Sequence, residues 1–482
     1  MPRPRRLAAL AIGLAVALGA CDGAQGREGF NLVSPEQEQR MGQEGHAEIL
    51  KQFGGPYDDP DLQAYVAGVG TRLAKFSQGD QRDFRFTVLD SDVVNAMALP
   101  GGYVYVTRGL VGLADNEAEL AGVLAHEIGH VQAHHTAQRV TRSTVTDLVV
   151  GVLGAVVGQP GVSELAQLGA AAWLQGYSRD QEREADSLGI RTLAATGYDP
   201  RAMATMLDKM LAKTRLDAEV AGRDPNSVDQ FDFFASHPRT AERVQEALAE
   251  VAGAPSGGAL GRDELLARVD GLLYGGDPKE GVVRGHTFLH PGLGIRFDVP
   301  QGFRLVNGED AVIAQHPSGS LLRFDLAKGS GDMAAYVAHD WGGQLGLREV
   351  QTFTVSGMRG ATGLGRAETE HGPADVRLVA IARPQGGIYR FLLVTPPGPD
   401  QYDREFQQAV ASLRPLTAED KALIRAQHIK VVTVKAGDTA ESLAEGMAPA
   451  DRFRLERFRV LNGLAAGQGV RPGQKVKLVV AG

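Results

Sequence analysis

Residues 126–130 read His126-Glu127-Ile128-Gly129-His130, inside a stretch with helical periodicity. Leu120, Val123, Leu124, Ile128 and Val131 recur at the spacing of one helix face. Asn116, with Glu119 three residues on, predicts the helix start through a capping box. Positions i and i+4 share a face, so His126 and His130 are placed to hold one metal ion. Glu127 between them lies close enough to reach a water on that metal. Zinc in a hydrolytic site takes three protein ligands and keeps one open position. A third ligand must therefore come from elsewhere in the chain.

The candidate segment runs from Ser178 to Asp186, reading Ser-Arg-Asp-Gln-Glu-Arg-Glu-Ala-Asp. Ser178 with Gln181 is again a capping box and predicts a second helix. Glu182 and Asp186 are i and i+4 on it. Glu182 is placed to ligate, and Asp186 to hold a ligand histidine from behind. By chemistry alone Glu184 is an equally valid ligand. A solvated, charge-rich helix start is the bland alternative.

A resemblance narrows these choices. Tyr177-Ser178-Arg179, followed by Glu-x-x-Ala-Asp over Glu182 to Asp186, resembles the second signature of a metallopeptidase family. That family holds the HtpX-like membrane proteases, the CAAX prenyl endopeptidases and the periplasmic β-barrel-assembly-enhancing proteases. Asn95-Ala96-Met97-Ala98-Leu99-Pro100-Gly101-Gly102 resembles its strand before the active-site helix. Ser236-His237-Pro238 with Glu242-Arg243 resembles its closing motif. The similarity covers roughly residues 31–250. It implies a mainly helical zincin-type (gluzincin) catalytic domain with a small sheet, and one Zn2+ per chain. His126, His130 and Glu182 would be the ligands, Glu127 the general base and Asp186 the supporting acid. Asn95, Ala96, Met97 and Ala98 would pair with an extended substrate, with a plain hairpin strand as the alternative. Arg243 would bind a substrate carbonyl or a carboxylate. His237 has three open readings: an oxyanion donor, a fourth ligand that displaces water in a latent state, or a structural helix-cap residue. In the periplasmic branch its position resembles that of the residue plugging the zinc. His134 and His135 are expected to continue the active-site helix, with His134 behind the ligands or at the surface.

The N-terminus carries targeting signals. Arg3, Arg5 and Arg6 precede an apolar run from Leu7 to Leu18, too short to span a bilayer. Leu18-Gly19-Ala20-Cys21 resembles a bacterial lipobox, which implies cleavage before Cys21 and lipidation of its thiol. Asp22 resembles an inner-membrane retention signal. The expected location is therefore periplasmic, lipid-anchored, at the inner rather than the outer membrane. Cys21 is the chain's one cysteine, which excludes internal disulfides and cysteine ligands. A net charge of −8 argues against nucleic acid as a partner, since phosphate binding needs a basic face.

Composition and pattern divide the 482 residues into a multidomain chain. Residues 1–20 form the leader and 21–30 a tether. The metallopeptidase domain is placed at 31–252, and a linker with a short helix (262–273) at 253–282. Alternating strands with helices at 333–345 and 401–413 predict an α+β domain over 283–415. Its His286, His290 and His316 lack ligand spacing and are assigned to structure. A connecting helix covers 416–429. Over 430–482, Gly437-Asp438-Thr439, Leu461-Asn462-Gly463-Leu464 and Pro472-Gly473 resemble a LysM module, a small βααβ fold that often binds peptidoglycan. Ala440 replaces its usual leucine. This last unit is expected to be dispensable for catalysis. The apolar stretch 145–173 is read as a lid over the cleft, a membrane-dipping hairpin or plain core. Together these features predict a zinc endopeptidase for unfolded or misassembled envelope proteins, with the outer-membrane assembly machinery and peptidoglycan as further partners. The rival reading is an envelope chaperone or adaptor with a capped zinc site.

Overall fold

The computed structural model describes residues 33–76, 83–139, 176–220, 224–225, 237, 240–252, 257–308, 311–316, 318–369, 372–397 and 403–482. The leader, Cys21, the 145–173 stretch, Ser236 and Pro238 lie outside the described residues. Elements are numbered within them.

Helix α1 (Pro35–Gln52) starts at a capping box between Ser34 and Gln37, with Pro35 in its first turn. Helix α2 (Pro60–Ala74) is capped by Asp59 and buries Leu62, Val66, Val69 and Leu73. Three strands follow, β1 (Arg85–Leu89), β2 (Ala96–Leu99) and β3 (Tyr103–Thr107), in the order β1-β3-β2. The central strand β3 is buried along its whole length. It runs parallel to β1 and antiparallel to β2. Gly101 (φ 79°) and Gly102 (φ 88°) make the β2–β3 turn in the left-handed region, which side chains beyond glycine rarely adopt. Helix α1 lies against this turn. A Cβ on Gly42 would meet the Pro100 carbonyl oxygen at 2.0 Å, and one on Gly45 would meet Leu99 at 2.9 Å.

Helix α3 (Arg108–Leu113) leads into α4 (Glu117–Gln132), which carries the paired histidines. Asn116 caps α4 by accepting from Glu119 N–H. The Glu119 carboxylate accepts from Asp115 N–H at 2.7 Å, one residue before the expected partner. Residues 117–131 are all buried, so the helix runs through the core. It ends at Gln132, short of expectation. His134 turns left-handed (φ 53°), which breaks the i→i−4 ladder, and His135 leaves in a new direction. Helix α5 (Arg179–Ala195) opens on the predicted Ser178–Gln181 capping box. Helices α6 (Arg201–Val220) and α7 (Thr240–Val251) complete this part. One apolar core joins α2, the small sheet, α4, α5, α6 and α7.

Helix α8 covers Arg262–Val269, shorter than expected, because Leu273–Tyr274 form strand β4. The middle region holds two antiparallel sheets. One contains β5 (Val282–Arg284), β6 (Thr287–His290), β7 (Ile295–Asp298) and, after the larger sheet in sequence, β15 (Arg414–Pro415). The larger sheet comprises β8 (Arg304–Asn307), β9 (Val312–Gln315), β10 (Leu321–Ala327), β11 (Arg348–Val355), β12 (Met358–Thr369), β13 (Gly372–Ala382) and β14 (Ile388–Thr395). Phe288, Phe297, Phe324 and Phe391 meet in the core the two sheets share, with ring centroids 4.9–6.2 Å apart. Helix α9 (Asp403–Ala411) covers it through Phe406, Ala409 and Val410. The helix expected at 333–345 is a single turn, Met333–Ala335, followed by a wider turn over Tyr336–Trp341, where Gly342 N–H bonds back to Val337.

After α10 (Ala418–Leu423), the C-terminal unit runs β16 (Gln427–Thr433), α11 (Ala440–Glu445), α12 (Arg454–Leu461) and β17 (Lys475–Ala481). Its order is βααβ, starting three residues before the predicted boundary. Strand β4 pairs with the outer side of β16, giving a sheet in the order β17-β16-β4. Ile429 of β16 joins the core of the helical part. The linker and the last unit are thus built into the first domain. Among the described residues, no helix is long and apolar enough to cross a membrane.

Candidate metal centre

Helices α4 and α5 and the His237 segment bring four buried ligand-type side chains to one point. Ligand atoms from His126, His130, Glu182 and His237 all lie within 4.8 Å of one another. His126 Nε2 and His130 Nε2 face each other at 3.0 Å, as their shared helix face requires. Glu182 Oε1 lies 3.4 Å from His130 Nε2, and Oε2 lies 3.7 Å from His126 Nε2. His237 Nδ1 is 2.9 Å from Glu182 Oε1 and 3.3 Å from His126 Nε2.

Both histidines of α4 are held from behind. Asp186, one turn beyond Glu182, lies 2.9 Å from His126 Nδ1. That contact keeps the proton on Nδ1 and leaves Nε2 free to ligate. His130 Nδ1 lies 2.9 Å from His135 Nδ1, and His135 Nε2 reaches Glu184 at 3.3 Å. The Tyr177 ring stacks on His130 with centroids 3.9 Å apart, and its hydroxyl meets Thr136 at 3.0 Å. Glu184 is therefore two contacts away from the cluster, with a half-exposed side chain. His134 bonds to Glu38 of α1 at 2.7 Å instead of supporting a ligand.

Arg243, expected on a substrate carbonyl or a carboxylate, meets two carboxylates of the chain itself. It is buried, and its Nε and Nη2 donate to the two Asp186 oxygens at 2.7 Å each. Its Nη1 lies 2.5 Å from Glu182 Oε2. The guanidinium is spent on two acids of the site, which would otherwise repel one another.

Electrostatics follow burial and these contacts. Burial raises the Asp186 carboxyl, but Arg243 outweighs it and holds it down to about 2. Burial likewise opposes ionisation of Glu182, and Arg243 with His237 bring it well below the usual carboxylate range. Burial keeps His130 well below the ordinary imidazole value, hence neutral. Glu127 is different. Burial pushes its carboxyl up, past the opposing pull of His237 and His126. It is fully buried, and among the described residues neither of its oxygens accepts a hydrogen bond; His237 Nε2 stands 3.5 Å from Oε1.

The donor set fits zinc. Two neutral-capable imidazole nitrogens and an ionised carboxylate converge within reach of bonds of about 2 Å. An unbonded buried carboxylate beside them is costly unless it has a task there. Strand β2 runs beside α4 at the edge of its sheet, with Ala96 and Ala98 buried and Met97 half-buried. Asn95 precedes it, its N–H and carbonyl both bonded to the Thr107 hydroxyl.

Two contributors escaped sequence reasoning. His135 reaches His130 only because the chain breaks at His134, and no periodicity signals that. Tyr177 lies within the recognised signature but nothing in its spacing shows the stacking on His130.

Comparison with known proteins gives a family match over part of the chain. Residues 60–251 match the model of Peptidase family M48. Over 231 residues the chain is 30% identical to the beta-barrel assembly-enhancing protease of Escherichia coli strain K12, covering 46% of this chain and 45% of that one. It is 28% identical over 224 residues to the mitochondrial metalloendopeptidase OMA1 of Schizosaccharomyces pombe, covering 46% and 63% respectively. The Arabidopsis thaliana protein of that name is 32% identical over 157 residues, covering 32% and 29%. The chain thus spans about half the length of the first of these relatives.

Proposed function

We propose, on the match of residues 60–251 to the model of Peptidase family M48, that the chain is a zinc metalloendopeptidase. One observation carries the reading: His126, His130 and Glu182 converge on one point, with the unbonded carboxylate of Glu127 beside it. When bound there, zinc supplies Lewis acidity toward the scissile carbonyl and toward water. Glu127 takes the proton of the attacking water and returns it to the leaving amine, a task suited to a carboxyl raised by burial. Asp186 holds the His126 ring in its ligating orientation, and Arg243 holds Asp186 and Glu182 ionised and in place. The free edge of β2 binds an extended substrate chain by strand addition, through Asn95, Ala96, Met97 and Ala98.

His237 makes the site latent in this reading. Its Nδ1 stands among the ligand atoms and would fill the position that hydrolysis needs open. The Cys21 signal supports a lipid-anchored periplasmic enzyme. The name of the Escherichia coli relative supports misfolded or misassembled envelope proteins as substrates. The βααβ unit, by its resemblance to LysM, supports contact with peptidoglycan.

The test is metal dependence. Purified chain stripped with a chelator should lose cleavage of unfolded casein and regain it with one zinc per chain. Casein cleavage that survives complete zinc removal would overturn the proposal.

A further inference from the structure

Lys477, in the last strand of the chain, is fully buried at the boundary with the helical domain. Its ammonium donates to the carbonyl oxygens of Gly112 (2.9 Å), Leu113 (2.8 Å) and Ala114 (2.7 Å). Three N–H donors meet three acceptors. These carbonyls lie where α3 ends and has no further turn to accept its bonds. The same nitrogen stands 3.3 Å from Asp115 Oδ1, which also pairs with Lys209 at 2.6 Å. Asp115 precedes Asn116, the cap of the helix that carries Glu127.

The C-terminal unit is shaped to deliver this lysine. Asn462 accepts from the Lys477 N–H at 2.7 Å and donates to its carbonyl at 2.8 Å, tying β17 to the end of α12. Gly463 (φ 59°) lies against Asp115, where a Cβ would stand 2.4 Å from Oδ2. Arg262 bridges the carbonyls of Asp115 and Lys475 at 3.0 Å each. Solvated lysines do not need such a setting, and a lysine so buried leaves three carbonyl acceptors stranded if its nitrogen is removed.

We propose that Lys477 is a positioning residue for the peptidase site, fixing the junction from which helix α4 departs, so that the C-terminal unit is a working part of the peptidase. This stands against the expectation that the unit is dispensable for catalysis. It rests on the peptidase reading above. Lys477 acts through the 112–116 backbone and touches no reacting atom. Its effect is on the placement of Glu127 and the histidines, and misplacement by about 1 Å at a reacting centre lowers rates by as much as about 100-fold.

The experiment compares full-length zinc-loaded wild type, Lys477→Met and Arg262→Ala. Hydrogen exchange is followed across the chain, and kcat and KM are measured on a quenched fluorescent casein. In Lys477→Met, exchange should quicken at residues 112–120 while β13 and β14 keep their protection. Its kcat should fall about tenfold or more with KM within about twofold, as for loss of an interaction made in the transition state, and with zinc still bound. Arg262→Ala should move both readouts in the same direction by less. Unchanged kcat, a rise in KM alone, or exchange that quickens equally in the middle sheet would each overturn the proposal. If Lys477→Met does not fold, Arg262→Ala decides by the same criteria. Absence of peptidase activity from both the wild type and His237→Ala sinks the peptidase reading, while the exchange measurement still decides whether Lys477 holds the junction.

Discussion

Arg243 grips Asp186 with two parallel hydrogen bonds of 2.7 Å, and Asp186 in turn stands 2.9 Å from the Nδ1 of His126. The guanidinium is thus two contacts from the His126 ring. Arg243→Ala should weaken zinc binding about 10- to 100-fold, the usual loss for an outer partner of a metal ligand. Arg243→Lys should recover only part of it, because an ammonium cannot make the paired fork. Titration against a competing chelator measures this. Affinity equal to wild type in both variants would show that the clamp is idle.

His237→Ala tests latency by the sign of one rate. A histidine that fills the open position should, when removed, raise casein cleavage and leave zinc in place. An oxyanion donor at the same spot should give a fall of about 100-fold. An unchanged rate would remove both roles.

Much of the centre was legible in the sequence because helix geometry is local. The His126–His130 pair and the Glu182–Asp186 pair each sit at i, i+4, and their helices open at Asn116 and Ser178 as read. Which acid faces the two histidines was not a local matter. Glu182 and Glu184 are chemically alike, and only the packing of α5 on α4 turns one inward and leaves the other with His135. Arg243 also depended on packing, since α7 must lie beside α5 before it can reach Asp186. The C-terminal unit shows the same limit. Its βααβ order is the one that the resemblance to a LysM module implies. The burial of Lys477 could not, because a lysine in a strand ordinarily faces water.

Close packing of α1 gives a stability prediction. A methyl group on Gly42 would stand 2.0 Å from the Pro100 carbonyl oxygen, a backbone atom that cannot swing aside. Gly42→Ala should lower unfolding stability by about 1–3 kcal/mol, the range for overpacked sites. Denaturant unfolding measures it, and a loss below about 0.5 kcal/mol would mean that α1 is free to shift.

Lys477 also sets a pH dependence. Burial, with help from Lys209, pushes its ammonium down to about 7, against the pull of Asp115 and Glu119; Arg262 lies beside the same aspartate. In the unfolded chain a lysine keeps its proton to about 10.4. Between these values the unfolded state binds the extra proton, so the lysine's contribution to stability rises with pH from about 7 to about 10. The difference in Tm between wild type and Lys477→Met should shift in favour of wild type across that window. A flat or falling difference would contradict the low value.

The central claim is that Glu127 moves the proton at a zinc site held by His126, His130 and Glu182. The most direct measurement is casein cleavage by zinc-loaded Glu127→Gln beside wild type, with bound zinc counted in both. The amide keeps the shape of the side chain and removes the base. The account predicts one zinc per chain in both proteins and a loss of cleavage of at least about 100-fold in the variant. Zinc-loaded Glu127→Gln cleaving at the wild-type rate would contradict it.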